Sequence, residues 1–184
     1  MNEHRPGSPA SGHDPLAQWV ILRLYSLADD DLVDFAEDHD AAKDSHAARP
    51  WSIVVIDDDD EVHRAIDLAL GGINVLGRPL RMSHCHSAAA ARTELFDEGA
   101  QVDLVLLDVV METADAGLDL LEELRSLPAT RDLPVLLHTG QPGQAPEAAV
   151  RSRYDISGYL TKSNVTRPTL IAALEAALSG GSVA

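Results

Sequence analysis

The chain has 184 residues, 45% of them apolar, and a net charge of -16, which fits one domain with extra segments. Such acidity excludes the basic face that nucleic-acid binding needs and argues against anionic membrane surfaces. The single cysteine, Cys85, excludes an internal disulfide framework and fits a reducing cytoplasm. No stretch reaches the ~18 to 20 apolar residues of a membrane span, and Met1 to Gly12 lacks the apolar core of a signal peptide.

Residues 1–13 are rich in Pro, Gly and Ser and are expected to be a disordered tail. Asp14-Pro15 reads as a helix start, with Asp as cap and Pro at the first helical position. Trp19, Val20, Leu24 and Leu27 follow at helical spacing, and the chain then turns acidic. Residues 14–50 therefore read as an N-terminal helix and an acidic linker.

The globular domain is expected over 51–180. Its first strand is the apolar run Ile53 to Ile56, followed by a helix over Asp59 to Leu70 that ends at Gly71-Gly72. A long connection, Ile73 to Arg78, leads to a second strand at about Leu80 to His84. Ser87 caps a second helix, Ala88 to Glu98. Leu104 to Leu107 is a third strand, apolar on both faces. A helix over Leu118 to Leu127, a strand over Pro134 to His138, a Gly/Pro-rich loop from Gly140 to Pro146 and a short helix over Glu147 to Arg153 come next. The fifth strand is Ile156 to Leu160, and a last helix, with Pro168 in its first turn, runs through Leu178 into a tail that includes 181–184. Strands alternating with helices imply an α/β fold: a parallel sheet covered on both faces.

In such sheets ligands sit at the carboxyl ends of the strands. Those ends carry Asp57, Asp58, Asp108, Thr139 and Lys162. Clustered carboxylates are costly without a cation, and hard oxygen ligands suit Mg²⁺. A carboxylate can act as a nucleophile, while an ammonium and a hydroxyl can hold phosphoryl oxygens. The set reads as metal-assisted phosphoryl transfer onto Asp108. Taken singly, each residue has a plainer explanation, such as Asp57 to Asp60 serving as an acidic helix start.

The motifs Val-Val-Ile-Asp57-Asp58-Asp-Asp-Glu, Leu-Val-Leu-Leu-Asp108-Val-Val-Met, Pro-Val-Leu-Leu-His-Thr139-Gly and Gly158-Tyr159-Leu-Thr-Lys162 resemble the receiver domain of bacterial two-component response regulators. The resemblance runs from Trp51 to about Leu178. It implies a flavodoxin-like (βα)5 doubly wound fold with strand order 2-1-3-4-5, here with an N-terminal extension. It implies Asp108 as phosphoacceptor, with Asp57, Asp58, Asp108 and the Val110 carbonyl around Mg²⁺. Thr139 and Lys162 would hold the phosphoryl group, and Thr139 and Tyr159 would form the switch pair. The implied partners are a histidine kinase or phosphotransfer protein and an unnamed downstream protein, with no nucleic acid and no membrane. The implied role is that of a cytoplasmic signalling switch rather than an enzyme. The N-terminal helix would pair two chains into a homodimer or cover the output face.

Asp108-Val-Val-Met-Glu-Thr, His138 to Glu147 and Tyr154-Asp-Ile-Ser-Gly-Tyr further resemble the receivers often found N-terminal to HD-GYP-type output proteins. Only a short tail follows the last helix, so a stand-alone receiver or a piece of a longer chain is expected. Two departures stand out. Ser163 occupies the position where many receivers have Pro after the lysine, so a trans bond and a shifted loop are expected. Glu112 replaces a frequent Pro and adds negative charge expected near the metal site. These departures motivate an alternative, a phosphorylation-independent pseudo-receiver acting as a protein-binding module. A haloacid-dehalogenase-type phosphatase is disfavoured because Asp108 is followed by Val109-Val110. His84-Cys85-His86 puts two imidazoles on one strand face and resembles half a metal site, but no second pair of ligands stands out.

Overall fold

The computed structural model describes residues 49–143 and 145–180. The expected disordered tail over 1–13, the N-terminal helix and nearly all of the acidic linker within 14–50, and the final residues 181–184 lie outside the described residues. The elements run β1 (Trp51–Ile56), α1 (Asp60–Leu70), β2 (Asn74–Val75), β3 (Arg78–Cys85), α2 (Ala88–Leu95), β4 (Leu104–Leu107), α3 (Ala116–Ser126), β5 (Val135–Thr139), α4 (Glu147–Arg153), β6 (Gly158–Thr161) and α5 (Arg167–Leu178).

The sheet order is β2-β3-β1-β4-β5-β6. Its five parallel strands keep the expected flavodoxin-like order, and β2 is an extra antiparallel edge strand on β3. Alternation of side chains divides the core into two layers. Ile53, Val55, Leu104, Leu106 and Leu136 pack against α1 and α5. Val54, Ile56, Val105, Leu107, Val135 and Leu137 pack against α2, α3 and α4. Every residue of β4 and β5 is buried, as a strand covered on both faces requires.

Local chemistry sets the helix boundaries. Asp59 stays extended and its carboxylate accepts from the Glu61 amide, so α1 begins at Asp60, one residue later than the expected Asp59. Ser87 accepts from the Ala90 amide, and Thr166 and Thr169 close a reciprocal capping box at α5. The second helix ends at Leu95, short of the expected Glu98, where Phe96 turns back against the core. The expected long connection after α1 is instead a β-hairpin. Leu76 and Gly77 both have positive φ, 51° and 75°, which is the backbone of a type I′ turn. Leucine is a poor residue for that conformation, and it leaves 47% of its surface in water. We predict that Leu76→Asn raises stability by about 1 kcal/mol, read as a higher urea midpoint at unchanged slope.

Candidate functional site

β1, β4, β5 and β6 deliver their C-terminal residues to one edge of the sheet. Asp57 follows β1, Asp108 follows β4, Thr139 ends β5 and Lys162 follows β6. All four are buried, whereas Asp58 is exposed. Asp57, Asp58 and Asp108 each offer one oxygen, and these three atoms lie within 4.8 Å of one another. The Lys162 ammonium reaches into the same space, 2.7 Å from Asp57 Oδ2 and 2.6 Å from Asp108 Oδ2. The backbone orients the remaining oxygens. The Asp59 amide donates to Asp57 Oδ1 at 3.1 Å, and the Val110 amide donates to Asp108 Oδ1 at 3.3 Å.

Electrostatics follow from this burial. Desolvation pushes the Asp57 carboxyl up to about 7; Lys162 pulls it down, and the Asp108 charge raises it further. Burial likewise raises Asp108 against the pull of Lys162. Desolvation opposes the Lys162 charge, but the two carboxylates outweigh it and hold the ammonium above its ordinary value. Fully ionised, three carboxylates and one ammonium leave a charge of about -2, which a divalent cation balances. The donor set therefore fits a hard ion such as Mg²⁺.

Thr139 Oγ1 accepts from the Gln141 amide at 3.1 Å, and the Thr139 carbonyl accepts from the Lys162 amide at 2.9 Å. Tyr159 is half-buried against the α2–α4 side of the core, and its hydroxyl donates to the Ala145 carbonyl at 2.7 Å. Glu112 does not join the acidic group. Its carboxylate accepts from the Ala88 amide at 3.0 Å, so it caps α2 beside Ser87, and its charge answers a helix N-terminus. The Lys162–Ser163 bond is trans, as expected, since the described residues contain no cis peptide.

Other residues of the site escape sequence reasoning. Gly117 opens α3 directly against the backbone that follows β4: a Cβ there would lie 2.0 Å from the Asp108 carbonyl oxygen and 2.8 Å from Val109 Cα. The expected helix began at Leu118, and the structure starts it at Ala116, which places Gly117 inside its first turn. His138 lies within β5 next to Thr139. Burial and the nearby Lys162 ammonium depress it to about 3, so it stays neutral.

A family model for the response regulator receiver domain matches residues 53–175. The chain belongs to that family. This receiver is 39% identical over 125 residues to the 3'3'-cGAMP-specific phosphodiesterase 2 of Vibrio cholerae, a match covering 68% of this chain and 24% of that protein. The chain thus spans about a quarter of that relative's length. Among solved structures, the signal receiver domain of an HD domain-containing protein from Pseudomonas fluorescens superposes with a TM-score of 0.61 at 22% identity. That superposition covers 74% of this chain and 92% of that one. A putative response regulator from Chloroflexus aurantiacus superposes with a TM-score of 0.56 at 26% identity, covering 71% and 99%. The receiver of an HD domain-containing protein is thus among the structural neighbours of this fold. Among the described residues no helix is long and apolar enough to cross a membrane.

Two predictions follow from the geometry. Gly117→Ala should destabilise the receiver by about 1–3 kcal/mol in chemical denaturation, although the same change in an unobstructed helix is stabilising. Asp57 holds a proton in the fold up to about pH 7 that the unfolded chain releases near its ordinary value of 3.8. Its contribution to metal-free stability is therefore greatest below the unfolded value and is lost as pH rises through about 7. Mg²⁺, which binds the ionised form, should raise the thermal midpoint more at pH 8 than at pH 6.

Proposed function

We propose that this receiver is a phosphorylation switch, with Asp108 accepting a phosphoryl group from a histidine kinase or phosphotransfer protein in the presence of Mg²⁺. The observation that carries this reading is the Lys162 ammonium seated between Asp57 and Asp108 at one edge of the sheet, with Thr139 ending the strand between them and β6. Asp57, Asp58, Asp108 and the Val110 carbonyl would hold the ion, which when bound would neutralise the carboxylates and the charge that develops on the phosphoryl oxygens.

The chain's own residues do the rest. An oxygen of the Asp108 carboxylate attacks phosphorus; the new P–O bond forms as the P–N bond of the donor's phosphohistidine breaks, and the donor imidazole leaves with the electron pair. Burial raises Asp108, and the Lys162 ammonium pulls against it, favouring the ionised, nucleophilic form. With an ion bound, the Lys162 ammonium would be free to pair with the transferred phosphoryl oxygens. Thr139 Oγ donates to the same group and gives up the Gln141 amide. That movement pulls on the loop carrying Ala145 and so on the Tyr159 hydroxyl, which repacks the α4–β6–α5 surface for a downstream partner. In this reading the chain is a signalling switch rather than an enzyme, and it works in the cytoplasm. The receiver unit would be residues 51–180. As a domain in some relatives of HD-type proteins, it would gate an attached or separate output.

Incubation with acetyl phosphate and Mg²⁺ should add one phosphoryl group, stable to acid and labile to base, as measured by intact mass. Asp108→Asn should abolish the addition, and Lys162→Ala should slow it by roughly tenfold or more, a loss of at least ~1.4 kcal/mol of transition-state stabilisation. No mass increase in the wild-type chain at saturating donor would refute the reading.

A further inference from the structure

The end of the sheet opposite the acidic pocket carries an apolar groove. It encloses about 350 Å³ between the end of α2 and the connection from α3 to β5. That volume is at the lower end of ligand-sized pockets, ~300–1,000 Å³. Phe96, Val102, Leu127 and Leu133 line the groove, and Leu127 leaves 40% of its surface in water. The charged residues that line it, Asp97 and Glu98, are both exposed and both acidic. An open apolar groove flanked by acids suits an apolar segment that carries a positive charge.

The chain enters the described structure beside this groove. Val102 adjoins Asp103, and Asp103 holds Arg49: the guanidinium donates to both carboxylate oxygens, at 2.6 and 2.7 Å. Asp103 Oδ2 also accepts from the Ser52 amide at 2.8 Å. Arg78 grips the same entry. Its Nε donates to the Arg49 carbonyl at 2.7 Å, and its guanidinium lies 3.4 Å from the centre of the Trp51 ring. Arg49 is thus fastened to the residue next to the groove wall.

Two apolar segments precede Arg49 in the sequence. One carries Leu16, Trp19, Val20, Leu24 and Leu27 at helical spacing, with Arg23 on the same stripe and no acid from Leu16 to Leu27. The other, Leu32, Val33 and Phe35, sits in the acidic run from Asp29 to Asp44. Asp97 and Glu98 repel the second and attract the first. The 21 residues from 28 to 48 span up to roughly 70 Å, ample for a return to a groove beside Arg49. Tethering also raises the local concentration of the segment to about the millimolar range.

We propose that residues 16–27 dock in the groove of their own chain, their apolar stripe on Phe96, Val102, Leu127 and Leu133 and Arg23 toward Asp97 and Glu98. The docked segment braces α2 against the α3–β5 connection and leaves the acidic pocket and the α4–β6–α5 surface open. This inference does not depend on phosphoryl transfer to Asp108.

The test is disulfide trapping in the full chain. The native Cys85 is buried, and burial pushes its thiol up to about 12, so it stays out of the reaction. Leu24→Cys is combined with Ala129→Cys, an exposed position in the groove, and Phe35→Cys with Ala129→Cys is the comparison. Phe35 is nearer to Arg49 along the chain, so random encounter favours its pair. Docking should reverse that order, the Leu24 pair closing at least roughly tenfold faster and at the mass of one chain. A Leu24 pair that fails to close, or a Phe35 pair that closes as fast, would overturn the proposal. A disulfide between two chains would assign the groove to a second copy and equally overturn it. In the wild-type chain, NMR should show contacts between the Trp19 indole protons and the methyl groups of Leu127 or Leu133. Their absence would count as decisively against it.

Discussion

A lysine ammonium suspended between two buried carboxylates is the interaction on which the rest of this receiver depends. Acids taken out of water at the end of a sheet are expensive, and burial alone drives Asp57 and Asp108 toward protonation. Lys162 keeps them chemically useful by supplying one positive charge at 2.6–2.7 Å to both. It does not neutralise the whole cluster. The remaining negative charge makes the pocket receptive to a divalent cation and, through that cation, to a phosphoryl group.

The fold exists to hold those groups in place. Asp57 and Asp108 follow adjacent parallel strands, and the register pairs Ile56 with Leu107, so the two acids emerge side by side. Lys162 reaches them from β6, two strands from β4 and three from β1, because its strand pairs Thr161 with Thr139 on β5. Each of those strands is locked by apolar residues packed on both faces, so the charged rim rests on a rigid base. Gly117 shows how tight this is, since α3 lies so close to the Asp108 backbone that even a methyl group has no room.

Much of this was legible in the sequence because burial on both faces writes a simple signal. Continuous runs such as Leu104 to Leu107 mark the strands, and polar residues at their C-terminal ends mark the site. What was not legible depends on contacts between distant segments. The hairpin after α1 was hidden because Leu76, rather than Asn or Gly, occupies a left-handed position, so the usual turn signal is missing. Glu112 read as an addition to the metal site because its partner, the Ala88 amide, lies 24 residues back in the chain. The ring contact of His63 with His84 and His86 was hidden for the same reason: His63 belongs to a helix, and only the packing of α1 on β3 brings it to them.

The proposed role of Lys162 is that of a movable counter-charge: it offsets part of the acids' charge at rest and transfers to the phosphoryl group in the activated state. The most direct measurement is a crystal structure of the receiver with Mg²⁺ and beryllium trifluoride, which mimics an aspartyl phosphate. The account predicts the fluoride adduct on Asp108, the ion held by Asp57, Asp58 and Asp108, and Lys162 Nζ on a fluorine. A complex in which Lys162 still bridged Asp57 and Asp108, with the adduct absent under saturating conditions, would contradict it.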